Sequence, residues 1–200
     1  MATSNTAVAN YALRHLGQGK TIAALDTESS AEAKACRAFF DEARDVTLQT
    51  YMWPFATVYV ALGLVEEDPT SEWQYSYRYP SNCLHVRRIL SGSRNDTRQS
   101  RISYEIAQDD TGRLIYADQE DATIEYTKRE DDVSLWPADF TLAFSYKLAA
   151  LIAPSIMGTA SQKMREMEGM FDLMISRAAA REANEQQQDE EPLSEFERSR

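Results

Sequence analysis

The spacing of apolar residues changes twice along this chain of 200 residues, and that change constrains the fold more than any other feature. Apolar residues recur at helical spacing before residue 54 and after residue 135, but they alternate with period two between Phe55 and Glu130. Because the helical segments flank the strand segment, the two helix pairs must meet to bury their apolar faces. The sequence therefore predicts a mainly α, α+β fold with a β insertion.

This organisation divides the chain into three parts. A four-helix core is predicted from residues 1–54 and 135–184, and a small antiparallel β-domain from residues 55–134. Residues 185–200 are predicted to form an extended C-terminal arm, since they are strongly polar and cannot bury enough apolar surface to order alone. The arm has two large apolar residues, Leu193 and Phe196, which could anchor it on a partner.

Two helices are predicted before the strand segment. The first covers about residues 5–16. The second begins at Ser29, which is expected to form a capping box with Glu32, each side chain satisfying an unpaired backbone N–H of the first turn. It ends near Met52, because Pro54 disfavours helical geometry in the residue before it.

Two more helices are predicted after the strand segment. The third has Asp139 as its N-cap and ends at Pro154. The fourth runs from about Thr159 to Ala183 and has apolar residues at the spacing of a packed helix seam. The seam residues are Met164, Met167, Phe171, Met174 and Ala178. Its methionines could instead form an adaptable binding surface.

Strands are predicted in the segments SYEIA, RLIYAD and ATIEYTKR, which alternate with period two between turn residues. The β-domain is expected to contain four to six strands. The polar segment 91–100 is expected to be a hairpin tip or loop.

An aromatic segment, WQYSYRYPSNCLHVRRI, allows two interpretations. Trp73, Tyr75, Tyr77 and Tyr79 occupy alternate positions, so they could stack nucleic-acid bases or form the buried face of a strand. The chain has a net charge of -11, which is unlike that of proteins that grip nucleic acid, and this favours the buried strand. That strand is expected to pack against Trp53 and Phe55 and to lose regular pairing at Pro80.

The sequence contains no recognisable catalytic or metal-binding motif. No phosphate-binding glycine loop, zinc motif or nucleophile elbow occurs, and the two histidines lie in different elements. Cys36 and Cys83 have no ligand-type spacing, which favours buried, reduced thiols. Acidic pairs fall at predicted turns, where solvated carboxylates are common. No catalytic residue, cofactor or metal is therefore predicted, and the protein is not expected to be an enzyme.

Basic residues are concentrated in one region, which follows the aromatic segment. They could belong to a solvated hairpin, contact an acidic partner, or contact phosphate. These arginines are Arg87, Arg88, Arg94, Arg98 and Arg101. No apolar run of about 18 residues and no basic start followed by an apolar block is found, so neither a membrane span nor a secretory signal is expected.

Several segments occur in a characteristic order. ALRHLG ends the first helix, a linker with acid and serine follows, and the long second helix runs into WPFA. The aromatic segment then meets a proline, and LWPADFTLAFSYKLAALIAP begins the last helix pair. In this order they resemble the head-to-tail adaptor (connector) proteins of short-tailed bacteriophages, the family that includes tail tubular protein A. The resemblance covers about residues 5–180, and its signature residues are Trp53, Phe55, Trp73, Tyr77 and Pro80.

The resemblance implies a structural virion protein. Members form a dodecameric ring that joins the portal to the tail nozzle or tail tube and lines the DNA channel. The expected location is the head-tail junction of the virion, after assembly in the host cytoplasm. DNA would pass without sequence-specific binding, and the net acidic chain suits that passage. The arginines and the arm would contact partners. The alternative is a cytoplasmic enzyme or regulatory domain with a helical core and a β-lobe.

Overall fold

The computed structural model describes residues 4–93, 100–158 and 161–185. It confirms the α+β class: four helices and two antiparallel sheets, with 46% helix and 22% strand, and the strands inserted between the second and third helices. The helices are α1 (Asn5–His15), α2 (Ala31–Thr50), α3 (Ala138–Met157) and α4 (Ser161–Glu185). The strands are β1 (Thr57–Ala61), β2 (Leu64–Glu67), β3 (Tyr75–Arg78), β4 (Cys83–Ile89), β5 (Tyr104–Asp109), β6 (Gly112–Ala117) and β7 (Thr123–Lys128).

The first turn of α2 differs from the prediction. Ser30 is the N-cap, and its Oγ accepts a hydrogen bond from the backbone N–H of Ala33 at 3.3 Å. The Ser30 hydroxyl in turn donates to Glu28 at 2.6 Å. The capping box of Ser29 with Glu32 is therefore wrong by one residue, because Glu28 before the helix is the acid that orients the capping hydroxyl.

Both ends of α3 also differ from the prediction. The N-cap is Pro137, in an extended conformation, and Asp139 lies inside the first turn instead of capping it. Pro154 lies within the helix, which continues to Met157. The helix ends at Gly158, whose φ of 69° suits glycine and whose N–H donates to the carbonyl of Pro154. The helix is therefore terminated by Gly158, four residues after the predicted end at Pro154.

Helix α3 is the centre of the helical core, since α1, α2 and α4 all pack against it. Phe140 is fully buried there and meets Trp136 and Trp53 edge to face, with ring centroids 4.8 and 5.1 Å apart. Phe144 lies 4.9 Å from Phe40 of α2. Edge-to-face contacts of this kind add to the burial energy of the rings. This aromatic cluster joins both helix pairs into one core.

Helix α4 contributes the predicted seam to that core. Four of its apolar residues are buried against the other helices, whereas Met164 is 37% exposed. The buried residues are Met167, Phe171, Met174 and Ala178. The methionine-rich helix is therefore mainly a packed seam.

The described part of the β-domain has seven strands in two sheets, more than the four to six predicted. One sheet has the order β1-β7-β4 and the other β2-β3-β6-β5, and all neighbours are antiparallel. The predicted segments at residues 103–107, 113–118 and 122–129 correspond to β5, β6 and β7. The strand β2 lacks the expected alternation, because all four of its residues are exposed at a sheet edge. The two sheets enclose a separate apolar core.

One helix of the described part, α3, has the length and apolar composition of a membrane span, with a mean hydropathy of 1.4 in its best window. No such segment was expected from the sequence. More than half of that window, 56%, is buried inside the protein, as in the core helix of a water-soluble protein, which passes the same test. This feature is therefore weak support for membrane insertion.

Replacing Phe140 with alanine is expected to lower the free energy of unfolding by about 3–5 kcal/mol, because it leaves a cavity at the centre of the aromatic cluster. Urea unfolding followed by circular dichroism measures this change. Leu135→Ala is the matched control, since Leu135 is 57% exposed and its loss is expected to shift stability by less than about 0.5 kcal/mol. Equal effects of the two substitutions would contradict this description of the core.

Candidate functional site

The aromatic segment forms part of the interior of the β-domain. Tyr77 in β3 is 1% exposed, and its hydroxyl donates to the carbonyl of Gln119. Tyr79, just after β3, is also buried, while Trp73 precedes the strand and donates its indole N–H to Glu105. The buried-face interpretation is confirmed for Tyr77 and Tyr79, and a base-stacking platform is excluded for these two rings.

The expected packing of this segment against Trp53 and Phe55 is wrong. Trp53 donates its indole N–H to the carbonyl of Thr47 at 2.9 Å and, with Phe55, contacts Phe140 of α3. These residues therefore belong to the helical core, whereas Tyr77 belongs to the core between the sheets. Alternation in the sequence predicts which face of a strand is buried, but it carries no information about the layer that covers that face.

Pro80 does lie where regular pairing stops. The strand β3 ends at Arg78, and the backbone N–H of Cys83 donates to the carbonyl of Pro80 across a turn into β4. The proline has no N–H to donate to a ladder, which suits this position.

Arg87, predicted to contact a partner, forms internal contacts instead. Its Nη2 donates to the last carbonyls of α2 and just beyond, and its Nε donates to Thr127 of β7 at 2.8 Å. The carbonyl acceptors are Leu48 at 3.3 Å, Gln49 at 3.2 Å and Tyr51 at 2.9 Å. A guanidinium is well suited to the orphan carbonyls and the partial negative charge of a helix C-terminus. Burial lowers the pKa of Arg87 from its ordinary value. This side chain links the β-domain to the helical core.

Arg88 pairs with a buried carboxylate. Its Nε lies 2.5 Å from Oε2 of Glu125, which is 2% exposed, and the hydroxyl of Tyr59 donates to the other carboxylate oxygen at 2.8 Å. The bond to Glu125 is the main cause that raises the pKa of Tyr59. The three residues come from adjacent strands of one sheet, so a buried charge is compensated by both neighbours.

Of the remaining residues predicted to contact partners, the structure describes only Arg101. Arg101 is exposed and precedes β5. Arg94 and Arg98 lie outside the described residues, as do Leu193, Phe196 and the arm from residue 186 onward. Of the three described arginines, Arg87 and Arg88 make contacts inside the protein, whereas Arg101 is exposed.

A charge network that sequence reasoning missed lies at the same junction. Arg44 of α2 is 4% exposed and pairs with Asp41, Asp45 and Asp131, with N–O distances of 3.0, 2.9 and 2.7 Å. Arg129, just after β7, contacts the same three carboxylates at 3.3–3.5 Å. In the sequence, the three-residue spacing of Asp41 and Arg44 on a predicted helix indicates one of these pairs. The network ties α2 to the chain that leaves the β-domain.

His15 and the two cysteines occupy packed positions, whereas His85 in β4 is exposed. His15 stacks on Tyr146 with centroids 3.9 Å apart, and its Nε2 lies 3.0 Å from the hydroxyl of Ser145. Burial, and then the charge of Lys163, lower the pKa of His15. Cys36 and Cys83 are free and buried. Within the described ranges, no group of three or more His, Cys, Asp or Glu side chains is arranged to hold a metal ion.

The β-domain has a pocket of about 610 Å³, here termed the β-domain pocket. It is lined by residues 60–63, 78–81, 83 and 111–113. Arg78 forms a bidentate pair with Asp109 at 2.9–3.0 Å, which holds the pKa of that carboxyl well below its usual range. The guanidinium of Arg113 lies over the ring of Tyr79, 4.1 Å from its centroid. Among the described lining residues there is no carboxylate.

A second concavity, of about 420 Å³, lies between the ends of α2, α3 and α4 and is here termed the aromatic groove. Its floor includes Trp53 and Phe55. The hydroxyl of Tyr51 donates to Glu182 of α4, and burial followed by that carboxylate raises the pKa of Tyr51 to about 12. The lining of the aromatic groove also includes the ion pair of Arg181 with Asp139, at 2.6 Å.

No protein-family model matches the chain, and comparison with curated proteins returns no significant match.

Replacing Arg87 with alanine is expected to lower the free energy of unfolding by about 2 kcal/mol, because it leaves the carbonyls at the end of α2 without their charged donor. Urea unfolding measures this. Arg101→Ala is the matched control and is expected to change stability by less than about 0.5 kcal/mol, since Arg101 is exposed. If Arg87→Ala left the free energy of unfolding unchanged, these bonds would not hold the β-domain on α2.

Cys36 is expected to resist alkylation by iodoacetamide at pH 9 in the folded protein and to react once the protein is unfolded in urea. Burial raises the pKa of Cys36 to about 12, so the folded thiol stays protonated. The corresponding stability is present below pH 9, the ordinary value, and is lost as the pH rises from 9 to about 12. Peptide mass spectrometry assigns the adducts to Cys36 or to Cys83; rapid native labelling of Cys36 would contradict its burial.

Proposed function

We propose that this chain is a structural virion protein, a head-to-tail adaptor of the short-tailed bacteriophage type. It forms a dodecameric ring that joins the portal to the tail nozzle or tail tube and lines the channel through which DNA leaves the head. The ordered segments from ALRHLG to LWPADF support this proposal, together with the order of two helices, β insertion and two helices.

The observation that carries the proposal is the distribution of exposed apolar side chains over both parts of the molecule. A ring requires a heterologous interface, in which two different patches on each subunit meet. The helical core exposes Leu142 and Leu173, both at 39%, and the β-domain exposes Leu64 at 52% and Val65 at 43%. Two separate apolar regions on one chain are what such an interface needs.

Strand β2 is the best-defined candidate for one of these patches. It is the outer strand of its sheet and pairs only with β3 among the described strands. An exposed sheet edge offers unpaired backbone groups that a neighbouring chain can use. Glu66 and Glu67 follow the two apolar residues of β2, and their charges oppose uncontrolled association at this edge.

All subunits of a closed ring must have the same shape, so the β-domain must keep a fixed orientation on the helical core. The junction between these two parts suits that requirement. Arg87 joins β4 to the end of α2, and the Arg44 network joins α2 to the segment after β7. Two independent charged connections oppose rotation of one part against the other. The β-domain and the arm would then meet the portal and the tail, with Arg101, Leu193 and Phe196 as candidate contacts.

The charge of the chain fits a channel that DNA must traverse. With 32 acidic and 21 basic residues, the net charge of -11 repels phosphates and keeps DNA mobile. No sequence-specific contact with DNA is required by this function.

Mass photometry, with the protein alone and with the phage portal, is expected to show a ring of about a dozen subunits. Leu64→Lys at the edge of β2 is expected to reduce the ring population about tenfold, since it places a charge in the interface. Ile106→Lys is the matched control on β5, the opposite edge strand of the same sheet.

Two outcomes would count against the proposal. A protein that stays monomeric at all concentrations, with the portal present, contradicts the adaptor function. A ring that forms equally well with Leu64→Lys contradicts the assignment of β2 to the interface. Cryo-electron microscopy of the particles would locate the subunit at the head-tail junction directly.

A further inference from the structure

The β-domain pocket has the chemistry of a receptor for an acidic peptide that carries an apolar side chain. Its volume of about 610 Å³ falls in the range of roughly 300–1,000 Å³ that ligand pockets occupy. Apolar side chains and backbone form much of the lining, including Val60 and Leu62. The charged groups among the lining residues are Arg78 and Arg113.

The two guanidinium groups differ in their availability. Arg78 is neutralised by its bidentate pair with Asp109. Arg113 rests on the Tyr79 ring and forms no ion pair with any carboxylate in the described part of the chain. A guanidinium held over an aromatic face keeps its N–H donors directed outward for a carboxylate. The pocket therefore presents one uncompensated positive charge beside an apolar floor.

The chain itself contains a segment with the complementary chemistry. Residues 189–197 read DEEPLSEFE, with five carboxylates and no basic residue. Phe196 lies between Glu195 and Glu197. We propose that in the free subunit, before the arm meets the portal or the tail, this segment binds the β-domain pocket of its own chain, with Phe196 against the apolar lining and a flanking glutamate at Arg113.

The geometry of the described residues allows this docking within one chain. Glu182 near the end of α4 accepts a hydrogen bond from Tyr51, so α4 ends beside the segment that leads into β1. From Tyr51 to Ala61 at the pocket is ten residues, at most about 35 Å, and eleven residues from Glu185 to Phe196 span up to about 38 Å. The segment is long enough to reach the pocket.

The aromatic groove is closer to the end of α4, but its charge is unsuitable. Its described lining residues include two carboxylates, Asp139 and Glu182, and one guanidinium, that of Arg181, which is already paired with Asp139. An acidic segment is repelled there and attracted by Arg113. Charge therefore selects the β-domain pocket over the nearer apolar surface.

The test uses the full chain with Phe196 replaced by the photo-cross-linking residue p-benzoylphenylalanine. Irradiation at low protein concentration is expected to join position 196 to peptides from residues 60–63 or 78–83, in a product of monomer mass. Arg113→Gln is expected to lower the cross-link yield about fivefold, since it removes the charged partner. Arg101→Gln, at an exposed arginine outside the pocket lining, is the matched control and is expected to leave the yield unchanged. Thermal unfolding verifies that each variant is folded.

Three results would overturn the inference: cross-links to residues 51–55 or 178–182 in the aromatic groove, products of dimer mass, or a yield unaffected by Arg113→Gln. The inference does not rest on ring formation. A monomeric protein that gives the expected cross-link would contradict the proposed adaptor function and support the docking. A ring-forming protein whose free subunit gives no cross-link would support the adaptor function and contradict the docking.

Discussion

The end of α2 is the point on which the rest of this structure depends, because both apolar cores meet there. Trp53 turns the chain from the helix toward β1 and packs on Phe140, while Arg87 reaches from β4 to the last carbonyls of the helix. A helix C-terminus leaves carbonyls without intrahelical partners, and a guanidinium satisfies several of them at once. The two cores are therefore held together by polar contacts at a helix end and are not merged into one.

That arrangement explains why exposed apolar side chains occur both on the helical core and on the β-domain. Each core buries its own interior, so neither part needs to cover the other with a broad apolar face. Exposed apolar side chains are left on the helices and at the β2 edge, and two concavities of opposite charge character lie beside them. Exposed apolar patches of this kind are typical of surfaces that contact other chains.

Local patterns were the reliable part of the sequence analysis. Helical spacing located all four helices, and alternation located β5, β6 and β7. The errors lie where two neighbouring residues offer the same local chemistry, as with Ser29 and Ser30, or where a tertiary contact overrides a local tendency, as with Pro154 inside α3. The edge strand β2 was missed because no face of it is buried, so it has no alternation to detect.

The sequence by itself determined the order of the elements and the acidic balance, and it favoured a buried position for Tyr77, since each follows from neighbouring residues or from a simple sum. Only the tertiary structure decided which layer covers Tyr77. It also decided that Arg87 binds the end of a helix 36–39 residues away in the sequence. Finally, it decided that Arg113, and not Arg87, presents its charge to a pocket. The physical reason is the separation in sequence between the residues that interact. Periodicity reports hydrogen bonding and burial among residues close in the chain, whereas the partner of a long charged side chain is set by how two separately folded parts pack.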